Sequence, residues 1–307
     1  MTDAEQVAQA RFEKLGELPL ESYRARNSLS TGLFSATVEV FHHKRLLGLL
    51  VRRELSGKYK DSALGLVWSL ARPLAQLFIY YLVVGKFLGA ARNIENFAIF
   101  IFAGLTIYAL FSEGINSMTR SIIVNSGLVK KVYLPREIFP LAALGGALVD
   151  FAIQTLILIV GALLMGTLVF GVNLLYGLGA FILAVTWVLG VGLFLAAANV
   201  HLRDTQFLTE VITMLLMWFS PIVYSWTFVR DVFDGAGLGW LTQVYLANPV
   251  TLMVLGFQEA FWAPNSAAEP LPNLALRMLI AFLVGLVFLF MGQHYFAKRQ
   301  ANFAQEM

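Results

Sequence analysis

The residues best placed for a specific interaction form a short charged loop between two long apolar runs. The stretch SGLVKKVYLPREIFPLAALGG, residues 126–146, carries Lys130 and Lys131, then an aromatic, then Arg136 and Glu137 between two prolines. Proline disfavours helical backbone in the residue before it and limits helix length. We therefore expect a short element with defined ends, suited to docking its charges into a groove on a partner. A positively charged turn without a partner is the alternative interpretation.

Residue types that catalysis requires are scarce in this chain. It has no cysteine, which excludes disulfides, thiolate metal sites and cysteine nucleophiles. Its four histidines are scattered and have no metal-ligating partners at the usual spacing. The phosphate-binding pattern G-x-x-x-x-G-K-[ST] and the nucleophile pattern G-x-S-x-G do not occur. These features predict a protein that is not itself an enzyme and carries no cofactor of its own.

Two ionisable residues, Arg72 and Asp150, lie inside apolar runs, where charge is costly and usually functional. Each lies roughly 10 to 12 residues into its run from the same predicted side, and at about 1.5 Å per residue both reach a similar depth. We predict that the two side chains pair, directly or through a shared polar neighbour. The simpler interpretation gives the pair a structural role without transport chemistry.

The elements that would position these groups are membrane helices. The chain is 58% hydrophobic and only 13% charged, whereas soluble domains are about 45–50% apolar and about 25% charged. A spanning helix needs about 20 mostly apolar residues, and such runs recur along the sequence. They predict an all-α membrane protein with six transmembrane helices, at about 62–88, 97–117, 138–166, 175–200, 207–228 and 275–297. The third and fourth helices are divided near 166–177, where glycines and an asparagine favour a turn.

A seventh apolar segment, 235–258, is interrupted by three glycines and by the Asn248-Pro249 step. Because unsatisfied backbone amides cannot face lipid, we expect a re-entrant helical hairpin over 231–262 instead of a span.

Six spans also suit the charge distribution. With both termini in the cytosol, 17 of the 22 Lys and Arg residues lie inside and 4 outside. The polar start of the sequence has no secretory signal pattern.

An amphipathic helix is predicted directly before the first span. In HHKRLLGLLVRRELSGKYK, residues 42–60, apolar side chains from Leu47 to Tyr59 follow a 3.6-residue period and the Arg and Lys side chains fall on another face. A basic helix of this kind lies along a membrane surface. Ordinary positively charged flanking sequence is the alternative interpretation.

Two blocks, RRELSGKYKDSALGLVWSLARPL (52–74) and NSGLVKKVYLPREIFPLAALGGALVDF (125–151), closely resemble the membrane subunits of type II ABC exporters. The nearest branch of that family exports lipid-linked polysaccharide such as O-antigen, wall teichoic acid, capsule or galactan. The resemblance covers roughly residues 40–300. Residues 1–40 look like a variable, polar cytosolic extension.

The resemblance implies a permease subunit in the bacterial cytoplasmic membrane that exports a polyprenyl-pyrophosphate-linked glycan. Two copies would form the channel as a homodimer, and two copies of a separate ATPase subunit would bind ATP and Mg beneath it. In that arrangement residues 41–61 form an interfacial gate helix and residues 62–300 the six-span domain. The loop 118–137 carries the coupling helix between spans 2 and 3, and segment 231–262 forms a re-entrant external gate between spans 5 and 6.

Three sets of residues follow from this arrangement. The ATPase contact comprises Lys130, Lys131, Tyr133, Pro135, Arg136 and Glu137. The gate helix and its cationic groups for a lipid pyrophosphate comprise Arg52, Arg53, Lys58, Tyr59, Lys60 and Arg72. The channel-lining candidates, chosen because aromatic groups slide past sugar faces, are Trp68, Tyr80, Tyr81, Tyr108 and Phe111.

Two other functions stay open at the level of the sequence. A type II ABC permease for a drug or a lipid would share the fold, although drug-exporting relatives usually lack the LVKKVYLPREIFP block. A membrane-embedded glycosyltransferase or acyltransferase would instead show activity in the purified chain without an ATPase.

Overall fold

The computed structural model describes residues 44–59, 67–92, 94–131, 134–266 and 269–306. The predicted extension 1–40 lies outside these ranges, as do Lys60 and Tyr133. Helices make up 83% of the structure, and the described ranges contain no strand. The predicted all-α class is therefore confirmed.

The helices of the described ranges follow one another through short turns. In chain order they are α1 Lys44–Tyr59, α2 Val67–Tyr80, α3 Phe97–Val124, α4 Ser126–Val129, α5 Ile138–Leu164, α6 Leu174–His201, α7 Thr205–Trp218, α8 Trp226–Gly235, α9 Gly239–Ala247, α10 Pro249–Phe261, α11 Leu274–Arg299 and α12 Phe303–Glu306. A π-helix, Tyr81–Phe87, continues α2, and single 3₁₀ turns occur at Ala90–Arg92, Ala263–Asn265 and Gln300–Asn302.

Among the described residues, four helices are long and apolar enough to cross a membrane: α3, α5, α6 and α11 with its 3₁₀ turn. A fifth span results if the bent pair α9–α10 crosses as one unit. The most buried of these helices is α3, which lies at the centre of the bundle and contacts α5, α6, α7 and α10. The apolar surfaces of α5 and α11 are mostly exposed, as lipid-facing helices require.

The structure describes only part of the predicted span at 62–88, and the helix within the predicted span at 207–228 is shorter than predicted. The described part of the first consists of α2, which contains Pro73, and the π-helix that continues it. The other, α7, ends at Trp218 because Pro221 follows closely and proline cannot continue a helix. At about 1.5 Å per residue α7 reaches about 21 Å, less than the roughly 30 Å of a hydrocarbon core. The prediction of a continuous helix to residue 228 is therefore wrong.

Both predicted interruptions of the apolar sequence are present. Residues 165–173 separate α5 from α6, which overlaps the turn expected at 166–177. The pair α9–α10 bends by 80° at Asn248. The Oδ1 of Asn248 accepts a hydrogen bond from the N–H of Val250 at 3.0 Å, and Pro249 occupies the first turn of α10. Both residues suit a helix start, so the bend follows from local sequence.

Glycines allow α6 and α11 to approach closely. A Cβ at Gly190 would lie 2.7 Å from the backbone nitrogen of Leu289, and a Cβ at Gly292 would overlap the carbonyl oxygen of Gly190. Farther along the same contact, Trp187 Nε1 donates a hydrogen bond to the carbonyl oxygen of Ala281 at 3.0 Å. Small residues permit such backbone approach between membrane helices, so this contact sets the position of α11.

Candidate functional site

The charged loop after α3 is anchored by buried residues on its N-terminal side. Asn125 is buried, and its Nδ2 donates a hydrogen bond to the carbonyl oxygen of Ser121 at 2.7 Å. Val129, at the end of α4, is also buried. Lys130 and Lys131 follow and are exposed. The loop therefore presents two ammonium groups from a base that is held against the bundle.

The second half of the loop turns inward. Pro135 and Arg136 are half-buried, and Glu137 is buried with only 6% of its surface exposed. Glu137 stands directly before α5, where a carboxylate suits the positive end of the helix dipole. Among the charged side chains described in the loop, the lysine pair is thus the exposed one, while Glu137 lies beneath the loop surface.

The C-terminal helix α12 supports the same loop. It packs against α4 and against the end of α6. Phe303 of α12 is fully buried, with its ring edge-on to Phe296 at a centroid distance of 5.3 Å. His201 Nδ1 contacts the carboxylate of Glu306 and so joins α6 to α12. The loop helix α4 is therefore held by packing as well as by the chain on either side.

The amphipathic helix α1 lies along the start of α5, within the range predicted for it. Leu50 is buried, and Val51 fills the space beside Gly145, where a Cβ would lie 2.5 Å from Val51 Cγ2. Arg53 donates a hydrogen bond from Nη2 to Oδ1 of Asn125. This bond joins α1 to the junction between α3 and α4.

The other predicted gate residues are only partly described. Arg52 is exposed and makes no hydrogen bond or ion pair with the described residues. The side chains of Lys58, Tyr59 and Arg72 lie outside the described part of the structure, although their backbones are helical. Asp150 is half-buried on α5. The pairing of Arg72 with Asp150 therefore stays a prediction.

The link between α1 and the loop can be measured by a double-mutant cycle. We expect Arg53→Ala and Asn125→Ala each to lower the midpoint of thermal unfolding in detergent, and the double variant to lose less than the sum. The expected interaction energy is about 1 kcal/mol, because a hydrogen bond to a charged group is weakened where water reaches it. Arg52→Ala is the matched control and is expected to leave the midpoint unchanged. Strict additivity of the two losses would show that the bond does not form.

The predicted aromatic residues occupy different environments. Tyr108 and Phe111 are buried on α3, with ring centroids 6.4 Å apart. Tyr80 is half-buried, with its hydroxyl 3.9 Å from Met217 Sδ on α7. Tyr81 lies beneath the ammonium group of Lys86, which is 5.5 Å from its ring centroid. The side chain of Trp68 lies outside the described part of the structure.

A polar stripe between α3 and α7 was not predicted from the sequence. Its α3 residues recur at every fourth position, which places them on one helix face. The members are Tyr108, Ser112, Asn116 and Arg120 of α3 with Glu210 and Thr213 of α7. The four-residue spacing of polar groups in an apolar helix is the signal that would have identified it.

Hydrogen bonds connect the two sides of the polar stripe. The Tyr108 hydroxyl donates to the carbonyl oxygen of Thr213, and Asn116 Nδ2 donates to the Thr213 hydroxyl at 3.2 Å. Arg120 and Glu210 form an exposed ion pair at 3.2 Å. Asn116 Oδ1 is buried and accepts no hydrogen bond from the described residues. The stripe runs from the middle of α3 towards the charged loop.

Comparison with protein families decides the class of the chain. A family model described as ABC-2 type transporter matches residues 45–262, more than half of the sequence. The chain belongs to the ABC-2 type transporter family. The matched region of this ABC-2 type transporter starts in α1 and ends after α10, so it includes both the charged loop and the polar stripe.

The ABC-2 type transporter chain is also similar to curated proteins over most of its length. It is 28% identical over 278 residues to the O-antigen export system permease protein RfbA of Myxococcus xanthus. The aligned region covers 88% of this chain and 98% of that protein. It is 24% identical over 265 residues to the O-antigen export system permease protein RfbA of Klebsiella pneumoniae. The aligned region covers 85% of this chain and 94% of that protein.

Proposed function

We propose that this chain is the permease subunit of an ABC exporter that moves a lipid-linked polysaccharide across the cytoplasmic membrane. The observation that carries the proposal is the similarity to O-antigen export permeases over 98% and 94% of their lengths. Because the match includes the apolar helices and the loops between them, it supports a shared transport role as well as a shared fold.

A separate ATPase subunit would supply the energy. The sequence has no phosphate-binding loop with which to hold ATP, so ATP and Mg would be bound by the partner. Lys130 and Lys131 are exposed on a loop whose base is buried. An exposed cationic surface on a fixed base suits the docking of a coupling element into an acidic groove of the ATPase, with electrostatic complementarity selecting the partner.

Movement of the loop would reach the gate helix through direct contacts. Arg53 bonds Asn125 at the start of the loop, and Val51 packs on Gly145 just beyond its end. Because packed elements shift as rigid bodies, a displaced loop would carry α1 with it. The cations predicted on and after α1 would then hold the pyrophosphate of the lipid carrier at the cytosolic entrance.

The polar stripe would line the path of the glycan. It offers hydroxyl, amide and guanidinium groups along one face of a mostly apolar helix. A homodimer would bring two stripes face to face and so enclose a polar passage. We place six spans in each subunit, both termini in the cytosol and the bent pair α9–α10 as a re-entrant gate on the external side.

The function can be tested by co-purifying the chain with a candidate ATPase subunit from the same organism and measuring ATP hydrolysis in lipid nanodiscs. Polyprenyl-pyrophosphate-linked O-antigen, teichoic acid and galactan are added one at a time, and the glycan-free lipid pyrophosphate is the control. We expect one of the glycans to raise the rate of hydrolysis severalfold above the control. Stimulation by a phospholipid or an apolar drug, and by none of the glycans, would contradict the proposal.

A further inference from the structure

A cavity of about 220 Å³ lies at the end of the bundle opposite the charged loop. It is formed where α10 meets the first turns of α3 and α11, and we call it the outer cavity. The lining residues used below are Phe100, Trp226, Gln258, Glu259, Trp262 and Glu269. The proposed topology places this cavity on the external side of the membrane.

The aromatic wall of the outer cavity is held in place by its own hydrogen bonds. Trp226 Nε1 donates to the carbonyl oxygen of Glu269 at 3.3 Å, and Trp262 Nε1 donates to that of Glu95 at 2.6 Å. Phe100 meets Trp262 edge-on, with ring centroids 4.7 Å apart. Because both indole N–H groups are committed to the backbone, the rings offer only apolar surface to a ligand.

Two polar side chains of the outer cavity, Gln258 and Glu259, have hydrogen-bond acceptor atoms without a partner among the described residues. Gln258 is 2% exposed, and its Nε2 donates to the carbonyl oxygens of Pro221 at 3.0 Å and Phe100 at 3.4 Å. Its Oε1 accepts no hydrogen bond from the described residues. The carboxylate of Glu259 is half-buried and likewise has no partner in the described ranges. These free acceptor atoms favour a ligand that donates hydrogen bonds, as hydroxyl and ammonium groups do.

The charges around the outer cavity disfavour an anionic ligand. Arg230 binds both carboxylate oxygens of Glu269, at 2.7 and 2.8 Å, and Asp231 at 3.0 Å. These contacts, Glu269 first, raise the pKa of Arg230, which stays cationic. Its guanidinium carbon lies 5.2 Å from the Trp226 ring centroid and so already occupies a cation–π position. Glu259 would repel an anion such as phosphate.

We propose that the outer cavity binds one sugar ring of the exported glycan as the glycan leaves the subunit. This inference rests on the proposed export function and names a binding site for the substrate. Ring C–H groups would pack on the indole and phenyl surfaces, and hydroxyl groups would donate to Glu259 and to Gln258 Oε1. The volume is below the roughly 300–1,000 Å³ of sites for drug-sized ligands, so it suits a single ring.

Saturation-transfer NMR on the chain and its ATPase in nanodiscs tests the site. The probes are glucose, galactose, mannose, rhamnose and N-acetylglucosamine, with tetramethylammonium and inorganic phosphate as charged probes. We expect at least one sugar to bind and Glu259→Ala to weaken that binding at least about tenfold, since the substitution removes a hydrogen bond to a charged group. Glu259→Gln keeps a carbonyl acceptor and is expected to lose less. Asp234→Ala removes an exposed carboxylate at the same end of the bundle and is the matched control.

Three outcomes would overturn the inference: no sugar binds, sugar binding is equal in wild type and Glu259→Ala, or only a charged probe binds. Thermal unfolding of each variant checks that it is folded. If Glu259→Ala does not fold, sugar binding is compared between wild type and Glu259→Gln instead.

The ATPase assay on the same preparation separates the two proposals. Hydrolysis stimulated by a lipid-linked glycan without sugar binding at the cavity overturns this inference alone. Absence of stimulation by any glycan overturns the proposed function.

Discussion

Gly292→Ala is expected to lower the free energy of unfolding by about 3 kcal/mol, the upper end of the usual range for overpacking a well-packed core. The new Cβ would overlap the carbonyl oxygen of Gly190 across the α6–α11 contact. A backbone atom cannot move aside as the end of a flexible side chain can, so the two helices must separate. The measurements are the midpoint of thermal unfolding in detergent and the amount of folded protein in the membrane.

Gly161→Ala is the matched control for this prediction. It lies within α5, and its Cβ would meet only Ile99 Cδ1 at 3.5 Å, an ordinary contact. Both substitutions gain up to about 1 kcal/mol of helix propensity, so the difference between them isolates the overlap. Equal unfolding midpoints for the two variants would show that α6 and α11 do not approach at Gly190 and Gly292.

Charge reversal of the lysine pair, Lys130→Glu with Lys131→Glu, is expected to abolish capture of the ATPase. The two side chains are exposed, so the change leaves the packing of the chain intact. Against an acidic groove the new carboxylates would cost several kcal/mol, which corresponds to a loss of at least about a hundredfold in affinity for the ATPase. The measurement is the ratio of ATPase to permease after co-purification, together with glycan-stimulated ATP hydrolysis.

A matched control reverses two other exposed cations at the same end of the bundle, Arg203→Glu with Lys298→Glu. The net charge changes by the same amount, so a general electrostatic effect would appear in both variants. We expect the control to retain the ATPase. Retention of the ATPase by the lysine-pair variant would show that Lys130 and Lys131 do not contribute to the interface with the ATPase.

Features that depend on neighbours in the sequence were predictable. Glycines and an asparagine marked the break between α5 and α6, and Asn248-Pro249 marked the bend between α9 and α10. The apolar period before the first span predicted a helix over residues 42–60, and the described residues in that range form α1 from Lys44 to Tyr59. Each of these follows from backbone preferences and helix periodicity, which act over a few residues.

Features that depend on distant partners were not predictable. The polar stripe forms because Thr213 of α7 lies beside Tyr108 and Asn116 of α3, which are about a hundred positions away in the chain. The burial of Glu137 depends in the same way on how α5 packs. Hydropathy identifies an apolar segment of the sequence, but it does not show which residues of that segment contact another helix.

A single cysteine tests the central claim, that a cytosolic ATPase drives this chain through the charged loop. Because the natural sequence has no cysteine, Lys131→Cys creates a unique label site without background. A membrane-impermeant maleimide is predicted to react with it in inside-out vesicles and not in right-side-out vesicles, and addition of the ATPase is predicted to block the reaction. Labelling in right-side-out vesicles, or labelling that the bound ATPase does not change, would contradict the account.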